Sequence, residues 1–395
     1  MPAAVPVLLV STAARWYGAE RMPRALAKAG FEVSLLTPRH SLAESSRFVR
    51  RVAYLADHTT PLDWIQAVAA TVRAVSPTQI VPCDDASFRL LAMLVVAPPS
   101  RLQPAVQSEL AALIRASLGD PAHYLASVDK TLLSNAAARA GVRTPPHAVI
   151  ATPQEGETFA AEHGHPVVVK RPNTTADDGV RIAASPAELR DAIATLGVPN
   201  PADFETDSSG RLLVQKHVDG HSCYHDVAAW EGRMLAGYAG DRLQTFGGVM
   251  SPATVVRYRH APEIHAMSER LVAAFGINGL FTIEFIVERE TGTTFLIDIE
   301  RHIGPATHCG SVMNVDLCAA LAAALQGVPS RSRNGLDPGD ERVLVHFPAE
   351  WLRDPQSKWL RQYPVDVPWD DPELLDAMLA MQPSRPATEA LSIRG

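Results

Sequence analysis

Three carboxylates in the stretch FTIEFIVERETGTTFLIDIERHIG, Glu284, Asp298 and Glu300, carry the first chemical signal of this chain. Asp298 and Glu300 are two residues apart, so on a strand both side chains leave the same face. If the turn between the two apolar runs is centred on Thr291, Glu284 lies opposite Asp298 across an antiparallel pair. Like charges so close are unfavourable unless a cation lies between them, and hard oxygen donors suit Mg²⁺ or Mn²⁺. The competing reading is a hairpin with one wet face, whose acids only keep its edge soluble.

Two lysines add cations. Lys170 ends the valine run of HPVVVKRP, and an ammonium at the end of a buried strand is costly unless an anion meets it. The alternative is a side chain that snorkels to the strand mouth. Lys130, in SVDKTLLSNAAARAGV, opens an amphipathic helix and faces either a phosphate or solvent. The loop NTTADDG offers the hydroxyls of Thr174 and Thr175, backbone N–H groups and Gly179, all material for a phosphate cradle. Asp177 and Asp178 oppose that use unless a cation offsets them. His308 and Cys309 are adjacent, and on an extended chain adjacent side chains point apart, so they are not read as a nucleophile pair.

The elements that must position these groups begin as an alternation. VPVLLVST reads as a buried strand, GAERMPRALAKAG as an amphipathic helix closed by Gly30, and FEVSLLTP as a second strand. The helix PLDWIQAVAATVRAV and the strand TQIVPCDD follow, which argues for a parallel sheet packed with helices. The first turn lacks the glycine fingerprint of a dinucleotide fold. Beyond a helical passage to about Pro146 come the strands around Lys170, the strand VRIAAS, the helix SPAELRDAIATLG, a loose stretch at 198–210 and the strand RLLVQKHVDG. A hairpin (YHDVAAW, EGR, MLAGYAG) and the helix APEIHAMSERLVAAFG then lead to the acidic strands.

With 395 residues, 47% hydrophobic and 20% charged, the chain has room for two or three domains with proper cores. A net charge of −7 lends no support to nucleic-acid or anionic-membrane binding, and no apolar run reaches the ~18 residues of a membrane span. The N-terminus lacks the basic residues of a signal peptide. Four scattered cysteines give neither a disulfide framework nor paired zinc spacing, and a cytoplasmic setting is expected.

Taken in order, these segments resemble the ATP-grasp family over roughly residues 1–330, on the side of carnosine-synthase-like and alanine–alanine-ligase-like carboxylate–amine ligases. The resemblance implies an N-terminal parallel α/β domain (1–110), then a two-lobed ATP-grasp domain (111–335) with a lid lobe at 145–218 and a metal lobe at 219–335. Residues 336–395 would form a C-terminal extension. It places Lys130 and Lys170 on nucleotide phosphates, with 173–179 as the closing loop holding Thr174, Thr175 and Gly179. Adenine would meet backbone groups of Lys216 and Val218, with His217 between them and the Gln215 side chain nearby. Glu284, Asp298 and Glu300 would hold two Mg²⁺ (or Mn²⁺) ions against ATP.

Departures accompany the likeness. Glu300 stands where relatives usually carry asparagine, and Ser222 where they often carry a ribose-binding glutamate. Arg301 and His302 replace a proline–arginine pair, so Arg301, with Arg242 and Arg257, is the expected cation beside an acyl phosphate. His302, His308 and Asp226 are candidates to receive the amine proton. The implied reaction joins a small carboxylate, such as an amino acid, to an amine at the expense of ATP. A bicarbonate-activating carboxylase and a nucleotide binder without turnover are its rivals. The expected partners are small-molecule substrates and, as in many relatives, a second copy in a homodimer. The substrate pocket should lie between STAARWYGAE, PCDDAS and RHIGPATHCG, where Trp16 and Tyr17 either meet a substrate or cap the core.

Overall fold

A computed structural model describes residues 4–15, 18–57, 59–98, 104–172, 179–197, 210–248 and 251–381. Trp16, Tyr17, Thr174, Thr175, Asp177, Asp178 and nearly all of the stretch 198–210 lie outside the described residues.

The N-terminal alternation folds as read. Strands β1 (Val5–Val10), β2 (Phe31–Thr37), β3 (Val49–Tyr54) and β4 (Gln79–Pro82) form a parallel sheet in the order β3-β2-β1-β4. β3 was not foreseen, because its burial is partial and two arginines interrupt its apolar pattern. The helix Pro61–Val75 begins at a capping box between Thr60 and Asp63 and turns Trp64, Ile65, Val68 and Val72 into the core. The helix Asp85–Val96 starts where β4 ends. Asp84 caps it and also accepts hydrogen bonds from Ser11 Oγ (2.6 Å) and Thr12 N–H (2.7 Å), locking the turn after β1 to the turn after β4.

A small antiparallel sheet follows, order β5-β8-β6-β7, from β5 (His147–Ile150), β6 (Val167–Lys170), β7 (Val180–Ala183) and β8 (Leu212–Lys216). The helices Pro153–His163 and Pro186–Leu196 cover one face of it and enclose a separate apolar core. Its other face is left to the rest of the molecule.

The largest sheet runs β13-β12-β9-β10-β11-β14 and is antiparallel, from β9 (Gly220–Trp230), β10 (Arg233–Thr245), β11 (Ala253–Arg259), β12 (Gly279–Glu288), β13 (Thr294–Glu300) and β14 (Glu341–Val345). β9 and β10 join at a two-residue turn, Glu231–Gly232, where both φ angles are positive, as the twist of a tight hairpin demands. One correction concerns the end of the chain. Residues 341–345, expected in an appended extension, are the edge strand of this sheet, paired with β11. The helix Leu317–Leu325 packs its small apolar face against β9 and β10, continuing the core that begins around β1 and β2. No single described helix is long and apolar enough to cross a membrane.

Candidate functional site

The acids stand as their spacing predicts, by a different route. The β12–β13 turn is centred between Glu290 and Thr291, as the pairs Val287↔Thr294 and Ile286↔Phe295 show. A bulge then adds one residue on β13, and beyond it Glu284 faces Asp298 and Thr282 faces Glu300. The bulge also brings both Ile297 and Asp298 to the cleft, where regular alternation would admit only one. The three carboxylates thus share the face of the large sheet that looks towards the small one.

Across from them, Val168, Lys170 and Gln215 project from the open face of the small sheet, with Val168 beside Gln215 and Lys170 beside Leu213. Between the sheets lies a cleft of about 320 Å³, which Lys216, His217, Val218, Ser222 and Arg242 also line. Lys130 reaches it from the first turn of the helix Lys130–Arg139. Asp129 caps that helix through Thr131 N–H, and the Lys130 N–H donates to the Pro172 carbonyl (2.9 Å), which ties this helix to the end of β6.

Every acid has a cation at hand. Lys130 Nζ is 2.6 Å from Asp298 Oδ2, and Arg242 bonds Glu284. His302 Nε2 donates to Glu300 Oε2 at 3.0 Å and lies 3.4 Å from Asp85 Oδ1. Burial works against a charge on His302, but Asp85 and Glu300 hold its pKa well above the usual value. Burial and the nearby Asp85 push Glu300 up to about 7. Burial lowers Lys170 to about 8, against the pull of Asp298. Among the described residues no carboxylate pairs directly with Lys170, so it is the cation most in need of an anion. Three hard carboxylates on one face suit Mg²⁺ or Mn²⁺, and the bonds they now make are to cations that a metal would replace.

The hinge is partly committed already. Lys216 N–H donates to the Pro146 carbonyl (2.8 Å) and His217 N–H to that of Pro166 (3.3 Å), so a ligand there would meet the Lys216 carbonyl and Val218. Gly179 accepts from Arg171 N–H (2.8 Å) and closes the β6–β7 connection.

Several expectations are corrected. Arg301 turns away from the cleft: it is buried, donates to Leu118 O (2.7 Å) and Ser127 Oγ (2.9 Å), and lies over the Phe88 ring. Side-chain alternation along β13 dictates this, since its neighbour Glu300 takes the cleft face. Arg257 projects from the opposite face of the large sheet, where it bonds Asp241. Asp226 is buried beneath Gly304, accepting from Thr282 and Thr307 (both 2.8 Å), and holds the 303–307 loop down rather than reaching the cleft. His308 is also elsewhere, paired with Asp366 at 2.7 Å. Cys309 and His308 do not point apart, because the residues form a tight helical turn that brings Sγ to 3.4 Å from Nε2. Burial nonetheless pushes the Cys309 thiol well up, which removes the thiolate a nucleophile needs.

Asp85 was foreseen only as part of a pocket lining. The structure makes it a member of the charged cluster with Glu300 and His302. Its signal was positional: it follows the carboxyl end of a parallel strand, where side chains of such sheets meet ligands.

Residues 129–225 match the family described as carbamoyl-phosphate synthase L chain, ATP binding domain. No curated protein is similar to the chain in sequence. Solved structures share its fold. Biotin carboxylase from Campylobacter jejuni, in a β,γ-ATP complex, is 13% identical, with 85% of this chain and 74% of that one covered and a TM-score of 0.63. N5-carboxyaminoimidazole synthetase from Staphylococcus aureus is 10% identical, with 87% and 82% covered and a TM-score of 0.61. The biotin carboxylase domain dimer of a Hydrogenobacter thermophilus 2-oxoglutarate carboxylase was solved with MgADP, ADP and bicarbonate. It is 17% identical, with 87% and 74% covered and a TM-score of 0.62.

Proposed function

We propose that this chain, which has the ATP-grasp fold, is an ATP-dependent ligase that activates a carboxylate and couples it to an amine. The observation that carries the reading is the cleft in which Glu284, Asp298 and Glu300 face Lys130 and Lys170 from opposing sheets. Adenine would sit against the hinge, with its ring between the aliphatic walls of Val168 and Ile182 and those of Ile286 and Ile297. Ile182 is 46% exposed, apolar surface that a purine would cover. Mg²⁺ or Mn²⁺ held by the three acids would neutralise phosphate oxygens during transfer.

The chain's own residues do the rest. Lys170 would take the phosphates nearest the small sheet, and Lys130 would exchange Asp298 for a phosphate oxygen. A substrate carboxylate oxygen attacks the γ-phosphorus and ADP leaves. The amine then attacks the acyl carbon, the acyl–oxygen bond breaks, and the departing phosphate takes up the amine proton. Arg242 lies beside Glu284 and is the cation for the transferring phosphoryl group. His302 Nε2 stands beside Glu300 and Asp85, which would place a hydrogen-bond donor where an oxyanion develops. Packing the small sheet onto the large one would exclude water from the acyl phosphate.

A second reading, bicarbonate as the activated carboxylate, draws on the carboxylases among the structures of this fold. Phosphate release from ATP with Mg²⁺ separates the two, tested against carboxylates and amines singly and in pairs, with bicarbonate as another arm and Asp298→Ala as control. Release that requires a carboxylate–amine pair supports the ligase. Release that requires bicarbonate supports the carboxylase. ATP binding with no release under any condition would leave a nucleotide binder without turnover.

A further inference from the structure

Three unlike ligand atoms meet away from the cleft: His308 Nε2, Cys309 Sγ and a carboxylate oxygen of Asp366 all lie within 4.8 Å of one another. Sγ is 3.4 Å from Nε2, and Nε2 is 2.7 Å from Asp366 Oδ2. The tight turn Thr307–Cys309 sets the first two side by side. Val365 bridges to Val345 of β14, which carries Asp366 to them from far along the chain. We propose that these three residues bind a zinc ion, at a site made of none of the cleft residues and independent of the function proposed above.

A cysteine nucleophile with a histidine base is the rival use of the same side chains. That use needs the sulfur and the carboxylate on opposite ring nitrogens, so that the base takes a proton through one and is held through the other. Here both converge on Nε2, and Nδ1 has no partner among the described residues. Convergence on one nitrogen defeats a relay and suits coordination, in which the ligand atoms surround a single point. Around zinc, with bonds of ~2.3 Å to sulfur and ~2.0–2.2 Å to nitrogen and oxygen, ligand atoms stand ~3.3–3.6 Å apart. The separation of Sγ and Nε2 already fits, and Nε2 and Oδ2 need part by only ~0.6 Å. Binding would release the thiol proton to solvent and shift the imidazole hydrogen from Nε2 to Nδ1.

The surroundings support the ligands. Phe347 N–H donates to Asp366 Oδ1 (2.5 Å), which fixes the carboxylate and leaves Oδ2 to the cluster. The Tyr258 hydroxyl hydrogen-bonds the Cys309 thiol and would serve its thiolate in the same way. Arg21, 3.7 Å from Oδ2, also donates to the Phe347 carbonyl (3.3 Å) and has Glu20 beside it to offset its charge. His308 and Asp366 line a cavity of about 280 Å³ whose wall includes the exposed Arg15. That cavity gives the ion a way in and leaves room for a water in the fourth position of a three-ligand zinc site. A thiolate beside an imidazole selects zinc over Mg²⁺, which prefers oxygen donors.

The probe is Co²⁺, which takes zinc's coordination and absorbs where zinc is silent, titrated into the full chain. One equivalent should give tetrahedral visible absorption and a thiolate-to-cobalt charge-transfer band in the near ultraviolet. Zn²⁺ should bleach both, and a large excess of Mg²⁺ should not. Among variants that still unfold cooperatively in urea, Cys309→Ser should lose the charge-transfer band, and Cys318→Ala, at another buried thiol, should keep it. Asp366→Asn should weaken Co²⁺ binding by at least ~10-fold, the loss typical even of groups that only orient a ligand. A wild-type protein without the band overturns the proposal whether or not any variant folds. So does a band that Zn²⁺ fails to displace, or one that survives in folded Cys309→Ser.

Discussion

Asp241 and Arg242 are neighbours on β10, yet they belong to charge clusters on opposite faces of one sheet. On one face the buried Asp241 accepts from Arg257 (2.8 Å) and Arg259 (2.8 Å), with His221 at 3.4 Å. Burial would raise its carboxyl, but the two arginines hold it below the ordinary carboxylate value. One acid there has more donors than it needs, so a ligand has nothing to complete. On the other face three acids are matched by Arg242, Lys130 and His302, and among the described residues no carboxylate pairs directly with Lys170. Each bond there is one that a metal ion or a polyphosphate could replace. The first cluster holds strands together; on the proposed function, the second is the one whose bonds ligands would exchange.

The largest effect should come from breaking the exchangeable face. Asp298→Ala is expected to lower ATP-dependent phosphate release by on the order of 10³-fold. Asp241→Ala should leave turnover within about threefold of wild type in any molecule that stays folded. Equal losses in the two variants would erase the distinction. The arginines sharpen it further. Arg242→Ala should cost ~10²-fold in kcat, whereas Arg257→Ala, on the other face, should change kcat by less than about twofold.

Stability should show the reverse order. Asp241→Asn leaves two arginines facing a neutral group, and a loss of about 1–3 kcal/mol is expected in urea unfolding, kept modest because both arginines are partly exposed. An unchanged midpoint would mean that the cluster is ornamental.

A last contrast sets two buried histidines side by side. His302 is held charged by acids, whereas burial, with His265 nearby, lowers His225 to about 3, and Ser268 meets its Nδ1 at 2.8 Å. The folded pKa of His225 lies below its ordinary 6.5, so the unfolded chain takes up the proton first. This contribution to stability is complete above pH 6.5 and is lost as pH falls towards about 3. The expected loss is about 1 kcal/mol for the first pH unit below 6.5, approaching ~1.4 kcal/mol per unit thereafter. Urea midpoints at several pH values should show that slope in the wild type and a flatter one in His225→Gln. Equal slopes would remove His225 from the account.

Much of the cleft was legible because it lies in local patterns. The two-residue spacing of Asp298 and Glu300, the valine run ending at Lys170 and the Asp129–Lys130 helix start are each read within a few residues. The register of Glu284 with Asp298 was also foreseen, though a bulge produces it and not an odd-numbered turn. Where the reading failed, parity or long-range packing decided. Arg301 and Arg257 share composition with Arg242 but take the wrong face, and one step along a strand is enough to move a side chain across a sheet. Cys309 and His308 meet only because the chain after Gly304 is a helical turn, pinned below by Thr307 and Asp226.

The sequence by itself determined the types of many elements, the acidic hairpin and the order of the cation-bearing segments, since periodicity, caps and turn residues act over distances of a few residues. Tertiary structure alone decided that Asp85 joins Glu300 and His302, and that the strand 341–345 closes the large sheet. Contacts of that kind form between residues up to hundreds apart, and they depend on how faces pack once the strands have formed, which no local pattern encodes.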